Sequence, residues 1–234
     1  MNHSPPAQIR LRNAAPRDPR RTQERILAAA VSEFSAKGFS GARVDAIARR
    51  ASINKRMLYH YFGDKERLFR AVLRTKMAQR AAWLAASPMD PIELLPYWFK
   101  LACQDREWIR LLEWEALQVF ERKLIDEKKR REALGRAVAK IRRRQKIGLM
   151  SRELDPRHLL LSHMALTMFP VAFPQITRLI TGLSVADRRF QKARCQFLRR
   201  FSAALQLNLS RKRARVLLGK PARRKGNSDE DFGS

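Results

Sequence analysis

Glycine is scarce in this chain, at 9 of 234 residues, and cysteine scarcer, at 2. No Gly-rich run is placed to cradle a phosphate, and no serine sits in a nucleophile elbow. Cys103 and Cys195 are far apart and form no CxxC, so they read as two buried thiols rather than a disulfide or a metal site. The histidines are His3, His60, His158 and His163. The last two are five residues apart, not at the i, i+4 spacing of a helical metal pair. No catalytic residue, metal or cofactor is therefore expected, and the chain does not read as an enzyme. No apolar run approaches the roughly 18 residues of a membrane span. The opening "MNHSPPAQIRLRNAAPRDPRR" has no apolar centre of a secretory signal, so the expected location is the cytoplasm, with no membrane partner. The last shortage is of acid: 22 Asp and Glu face 50 Lys and Arg, for a net charge of +28 and a pI near 11.5. A chain so charged attracts polyanions, nucleic acid first and an anionic membrane face second.

The excess is spread along the chain. Residues 1–21 carry five Arg against one Asp, residues 128–146 ten basic residues against Glu132, and residues 210–225 eight basic residues and no acid. Between these runs the apolar pattern is helical nearly throughout, and strand-like alternation is missing. Residues 1–21 read as a flexible basic arm. A first helix is expected from Thr22, with Ile26, Ala29, Ala30 and Phe34 on one face and Gly38 as its stop. A second runs from about Arg43 to Arg50, with Val44, Ile47, Ala48 and Ala51 inward. After "ASIN", Asn54 caps a third helix from Lys55 to Phe62. A fourth begins past Gly63-Asp64. Two short helices joined by so tight a turn are a helix-turn-helix unit.

The third helix explains the row of aromatics in "INKRMLYHYFGDKERLF". Leu58, Tyr61 and Phe62 face the first two helices and fasten a helix too short to hold itself. Arg56 and His60 lie on the opposite side, with Met57 and Tyr59 on the flanks. Such a helix fits the major groove of B-DNA, its N-terminal residues nearest the base edges, with Lys55 and Lys65 where phosphates pass.

The segment "ILAAAVSEFSAKGFSGARVDAIARRASINKRMLYHYFGDKERLFRAVL" resembles the DNA-binding domain of the TetR/AcrR transcriptional regulators. "AKGF", "V..IA..A", "LYHYF" and "KE.LF" carry the resemblance together, across residues 26–73 without a gap. It implies a homodimeric repressor with an N-terminal helix-turn-helix and a helical C-terminal domain for dimerisation and small-molecule sensing. The sequence departs from the common pattern at Ser52, where the turn glycine stands, and at Arg43, Arg56 and Met57. These departures enlarge the basic face and alter base contacts. The residues expected at DNA are Arg43, Asn54, Lys55, Arg56, Met57, Tyr59, His60 and Lys65.

The expected organisation is all-α: a basic arm (1–21), a three-helix DNA-binding domain (22–76), a larger helical ligand-binding and dimerisation domain (77–209), and a disordered tail, basic then acidic (210–234). In the larger domain, prolines 88, 91, 96, 156, 170 and 174 punctuate the chain. Asp155-Pro156 starts one helix, and Ser184 with Asp187 forms a capping box for another. Trp98, Phe99, Cys103, Trp108, Leu111, Trp114 and Phe120 either line an effector pocket or fill a core; at helical spacing such residues are more often packing. In the resembling family the last helices of two subunits form the dimer interface, which places His163, Leu166, Leu198, Phe201 and Leu205 there. Helix 128–146, with Leu134, Val138 and Ile141 as a thin apolar stripe, reads as a solvated outer helix or a surface for an anion.

Two functions compete. One is a sequence-specific repressor that binds double-stranded DNA as a homodimer and is released by a small-molecule effector. The other is an architectural DNA binder without a ligand, associated with the nucleoid. The effector, the operator and the regulated genes are not legible in the residues.

Overall fold

The computed structural model describes residues 18–118 and 124–218, without the side chains of Gln118 and 207–218. Among the described residues there are ten helices and no strand. They are α1 (Pro19–Gly41), α2 (Val44–Arg50), α3 (Lys55–Phe62), α4 (Lys65–Ala85), α5 (Pro91–Gln104), α6 (Arg106–Gln118), α7 (Glu127–Lys146), α8 (Pro156–Ala172), α9 (Pro174–Thr181) and α10 (Arg188–Leu218). No single described helix is long and apolar enough to cross a membrane. The chain divides into two compact units: Met1–Ala85 with Asp105–Arg131, and Ala86–Gln104 with Glu132–Ser234.

The first unit is built on α1. Asp18 caps it by accepting from the Arg20 amide at 2.9 Å, and Pro19 takes the first helical position, where no N–H is needed. The helix therefore starts before Thr22, and residues 19–21 of the expected arm belong to it, with Asp18 as the cap; residues 1–17 lie outside the described residues. Gly38 interrupts α1 with φ of 69° and ψ of −179°, a conformation open to glycine alone. One core joins Ile26, Ala30 and Phe34 of α1 to Ile47, Leu58, Leu68 and Val72, and to Trp108 and Leu111 of α6. The expected boundary at residue 76 falls inside α4, which runs on to Ala85. Trp108, Leu111 and Trp114, read from the sequence as lining a pocket or filling a core, belong to this unit, where Trp108 and Leu111 join its core. Trp114 packs on α1: its indole Nε1 and Nε of Arg110 both donate to the Ser35 carbonyl, at 3.2 and 3.0 Å.

A buried ionic cluster fastens α4 to the start of α6. Asp105 accepts from the Trp108 amide at 3.3 Å, as a helix cap does, and from Lys76 Nζ at 2.6 Å. Arg80 approaches the other Asp105 oxygen at 3.6 Å, between the rings of Trp83 and Trp108. Burial pulls the Arg80 guanidinium down to about 10, against the opposing pull of Asp105.

In the second unit α5 packs against α8 and α10, around Leu94, Leu95, Phe99, Ala102, Phe190, Cys195 and Leu198. Asp155 caps α8 ahead of Pro156, as the sequence implies. Pro91 and Pro174 also stand at helix starts, but Pro96 and Pro170 lie inside α5 and α8 rather than between helices. Asp187 caps α10 directly, accepting from the Arg189 amide at 2.8 Å, while Ser184 Oγ accepts from Ala186; the expected capping box is instead a turn followed by an Asp cap. The helix α10 continues to Leu218, so residues 210–218 of the expected tail are helical, and 219–234 lie outside the described residues. On α7 the inward residues are Ile141, Arg144 and Gln145, whereas Leu134 is exposed and Val138 half-buried; the expected stripe is fully buried only at Ile141.

Candidate nucleic-acid interface

The α2–turn–α3 element is held from three sides. Glu33, buried on the inner face of α1, accepts from Lys37 Nζ at 2.8 Å and from the backbone N–H of Arg43 at 3.3 Å. Burial raises its pKa, but those two donors outweigh it and hold the carboxyl below its ordinary range. Glu33 thus satisfies one of the open amides at the start of α2, where Arg43 itself offers no side-chain cap. The acid sits among the apolar positions of α1, and that misplacement was its only signal in the sequence.

The turn closes as a Schellman motif. Ser52 adopts φ of 54°; its amide donates to the Arg49 carbonyl at 3.0 Å, and the Ile53 amide donates to the Ala48 carbonyl at 3.0 Å. Ile53 then packs on the core cluster. Asn54 caps α3, its Oδ1 accepting from the Met57 amide at 2.7 Å. Leu58 is 0% exposed and roots the helix, with Tyr61 and Phe62 packed beside it. Gly63 ends it with φ of 80°.

What α3 leaves outward is a stripe of Lys55, Arg56, Tyr59 and His60, all exposed. Tyr59, at 39% exposure, belongs to that stripe rather than to a flank. Met57 is half-buried. Lys55 pairs with Asp45 of α2 at 3.0 Å, which raises its pKa. Arg43 is exposed at the head of α2. Lys65 is partly committed to the fold: its Nζ donates to the Ser40 carbonyl at 3.3 Å and lies 5.0 Å from the centre of the Phe39 ring, and burial lowers its pKa. Arg50, which the motif does not single out, donates to Ser32 at 2.7 Å.

The remaining expected residues separate. Trp98, Phe99 and Cys103 lie on α5 in the second unit, where Phe99 meets Phe190 edge to face at 6.1 Å, whereas Trp108, Leu111 and Trp114 lie in the first. Phe120 lies outside the described residues. Of the residues expected at a dimer interface, Leu198 is 0% exposed and fills the core of its own chain, so it is not free to meet a partner. His163 and Leu166 are half-buried, and Phe201 and Leu205 are exposed. His163 is held down to about 4 by burial and by the neighbouring Arg144, so it is neutral at pH 7. Phe197, one position before Leu198, is exposed, as are Leu161, Phe169 and Phe173; on α10 Phe197 takes the outward place expected of Leu198, beside Phe201 and Leu205.

Two short helices joined through a left-handed turn, with the second offering cations and rings outward, define a helix-turn-helix protein. Comparison with known proteins agrees. The sequence pattern of bacterial regulatory proteins of the tetR family matches residues 26–72, and that of the tetracyclin repressor-like C-terminal domain matches residues 90–203. The chain is similar to the HTH-type transcriptional repressor SCO4008 of Streptomyces coelicolor, 35% identical over 168 residues that make up 72% of this chain and 88% of that protein. It is also similar to the HTH-type transcriptional repressor NicS of Pseudomonas putida, 45% identical over 78 residues, 32% of this chain and 37% of the other. Among solved structures, a putative transcriptional regulator of Streptomyces coelicolor, SCO4942, aligns at a TM-score of 0.65 with 26% identity, covering 79% of this chain and 96% of its own. The chain belongs to the TetR family, and it is a helix-turn-helix transcriptional regulator.

Proposed function

We propose that the chain is a homodimeric repressor that reads an operator with the outward stripe of α3 and is released when a small molecule binds its C-terminal domain. The observation that carries this reading is the division of labour on α3: Leu58 is fully buried while Lys55, Arg56, Tyr59 and His60 are all exposed. Arg56 and His60 reach base edges near the start and middle of the helix. Tyr59, Lys55 and Arg43 hold phosphates, and Asn54 and Met57 complete the approach of the helix N-terminus. Lys65, tied to Ser40 and Phe39, stands at the far end and serves a phosphate only when it gives up that bond. Dimerisation falls to the exposed apolar residues of the last helices: Leu161 and Phe169 on α8, Phe173 at its C-cap, and Phe197, Phe201 and Leu205 on α10. The name of SCO4008, a repressor, supports the sense of regulation.

The experiment begins with genome-wide mapping of binding sites in the native host to define an operator. Binding of that operator and of random duplex is then titrated for the wild type and Arg56→Ala. A paired guanidinium–guanine contact is worth about 1–3 kcal/mol, so Arg56→Ala should weaken operator binding by that much and relax the choice of base at one position. If both duplexes lose affinity by the same factor, α3 is oriented otherwise. Light scattering at micromolar concentration should return a dimer, and a clean monomer would remove that part of the reading.

A further inference from the structure

The outward face of α7 is a strongly charged surface that reading by α3 does not use. Within the second unit this helix carries Arg136, Lys140, Arg142, Arg143, Arg144 and Lys146 against Glu132 alone. Two of these turn inward: Arg144 donates to the carbonyls of Pro88 and Met89, and Lys140 to Ser87. Arg136, Arg142, Arg143 and Lys146 are exposed, and none of them has an ion pair or side-chain hydrogen bond among the described residues. Other exposed arginines of the same unit are neutralised: Arg157 by Asp155 and Arg189 by Asp187, at 2.6 and 2.8 Å. Like charges three and four residues apart repel along a helix, and Arg142–Lys146, Arg143–Lys146 and Arg136–Lys140 all stand at that spacing. Lys140 records the crowding: burial, then Arg144 and Arg143, push its pKa down. A helix crowded in this way is stabilised by a bound polyanion.

We propose that this face of α7 is a second nucleic-acid surface, which grips the phosphate backbone of duplex DNA without reading its sequence. The proposal rests on the reading of the chain as a DNA-binding regulator. The middle of the face is small: Gly135, where an added Cβ would meet nothing within 4 Å, and the exposed Ala139. A membrane-binding helix needs bulky apolar groups there to insert, and a protein interface needs large anchors; the centre of this face supplies neither. Three of the four free cations are arginines, whose planar fork matches phosphate. Arg136 and Lys146 are separated by about 15 Å along the helix axis. Duplex of that length presents on the order of nine phosphates, more than the four cations need.

The test is the salt dependence of binding to a random-sequence duplex of two to three helical turns. It compares the full wild-type chain, R136Q/R142Q/R143Q and R56A, with thermal melts of each. The α7 triple variant should lower the slope of log affinity against log salt by between about 1 and about 3, at about 0.9 for each phosphate no longer neutralised. Its melting temperature should equal or slightly exceed that of the wild type, because the removed charges repel their neighbours, and its base preference on the operator should be unchanged. A triple variant with the wild-type slope overturns the proposal, even where Arg56→Ala still relaxes base preference. An inert Arg56→Ala beside a triple variant of lowered slope would instead sink the reading of α3 and support that of α7. If the triple variant loses sedimentation with phosphatidylglycerol vesicles while its DNA slope is unchanged, the face belongs to a lipid surface and the proposal fails.

Discussion

Gly38 is where α1 breaks, and Trp114 is what the break faces. A methyl group at residue 38 would lie 2.8 Å from Cδ2 and 2.9 Å from Cε3 of the indole, inside any normal contact. The backbone there, at φ of 69° and ψ of −179°, would also cost a side chain about 1–3 kcal/mol. Overpacking against a ring adds roughly 1–3 kcal/mol. Gly38→Ala should therefore destabilise the first unit by about 2–6 kcal/mol, the sum of the two. The two contributions separate in a double-mutant cycle. Trp114→Ala removes the ring and its hydrogen bond to Ser35 but leaves the backbone demand untouched. In the double variant the clash is gone, so its destabilisation should fall short of the sum of the singles by about 1–3 kcal/mol. Urea unfolding of the four proteins, followed by indole fluorescence where Trp114 is present and by circular dichroism throughout, gives the values. Strict additivity would refute the packing argument. A Gly38→Ala protein as stable as the wild type would refute the backbone argument as well.

Three other outcomes follow from the same structure. Ser52→Gly relieves a left-handed conformation that serine adopts reluctantly, and should raise stability by up to about 1 kcal/mol in urea titrations; a loss would mean that the Schellman turn is not strained. Asp105→Asn leaves the buried Arg80 without its anion and Lys76 with Glu107 alone, at 3.2 Å, and should cost up to about 3–5 kcal/mol, whereas a neutral result would mean that water reaches the cluster. His163 has its folded pKa depressed from 6.5 to about 4, so the unfolded chain binds the extra proton between those values, and stability should fall as pH drops through that window. His163→Gln should flatten this part of the stability profile by at most about 3 kcal/mol, and an unchanged profile would mean that His163 titrates normally.

The helix-turn-helix was legible because its determinants are local. Asn54, the Leu58–Phe62 spacing and Gly63 mark the start, the inner face and the end of α3 within ten residues of one another, and the structure places α3 at Lys55–Phe62. What was not legible depends on contacts across long stretches of chain. Helical spacing marked Trp108, Leu111 and Trp114 as packing or pocket residues, but not that α1, more than seventy residues earlier, meets Trp114 through Ser35 and Gly38. Likewise α10 has apolar residues enough for two sides. Only the packing of α5 decides that Leu198 turns inward and Phe197 outward. The composition of 210–218 argued for a tail, yet nothing in it breaks a helix already running from Arg188.

Glu33 holds the start of α2 by the main-chain N–H of Arg43, not by its side chain. Every amino acid but proline supplies that N–H. Position 43 is therefore insulated from the demands of folding while standing, exposed, at the head of α2, where it is proposed to meet DNA. Substitutions there can change what the protein touches without changing how it is built. A lineage under pressure to acquire a new operator could explore this position at little risk, provided the carboxylate on α1 stays in place.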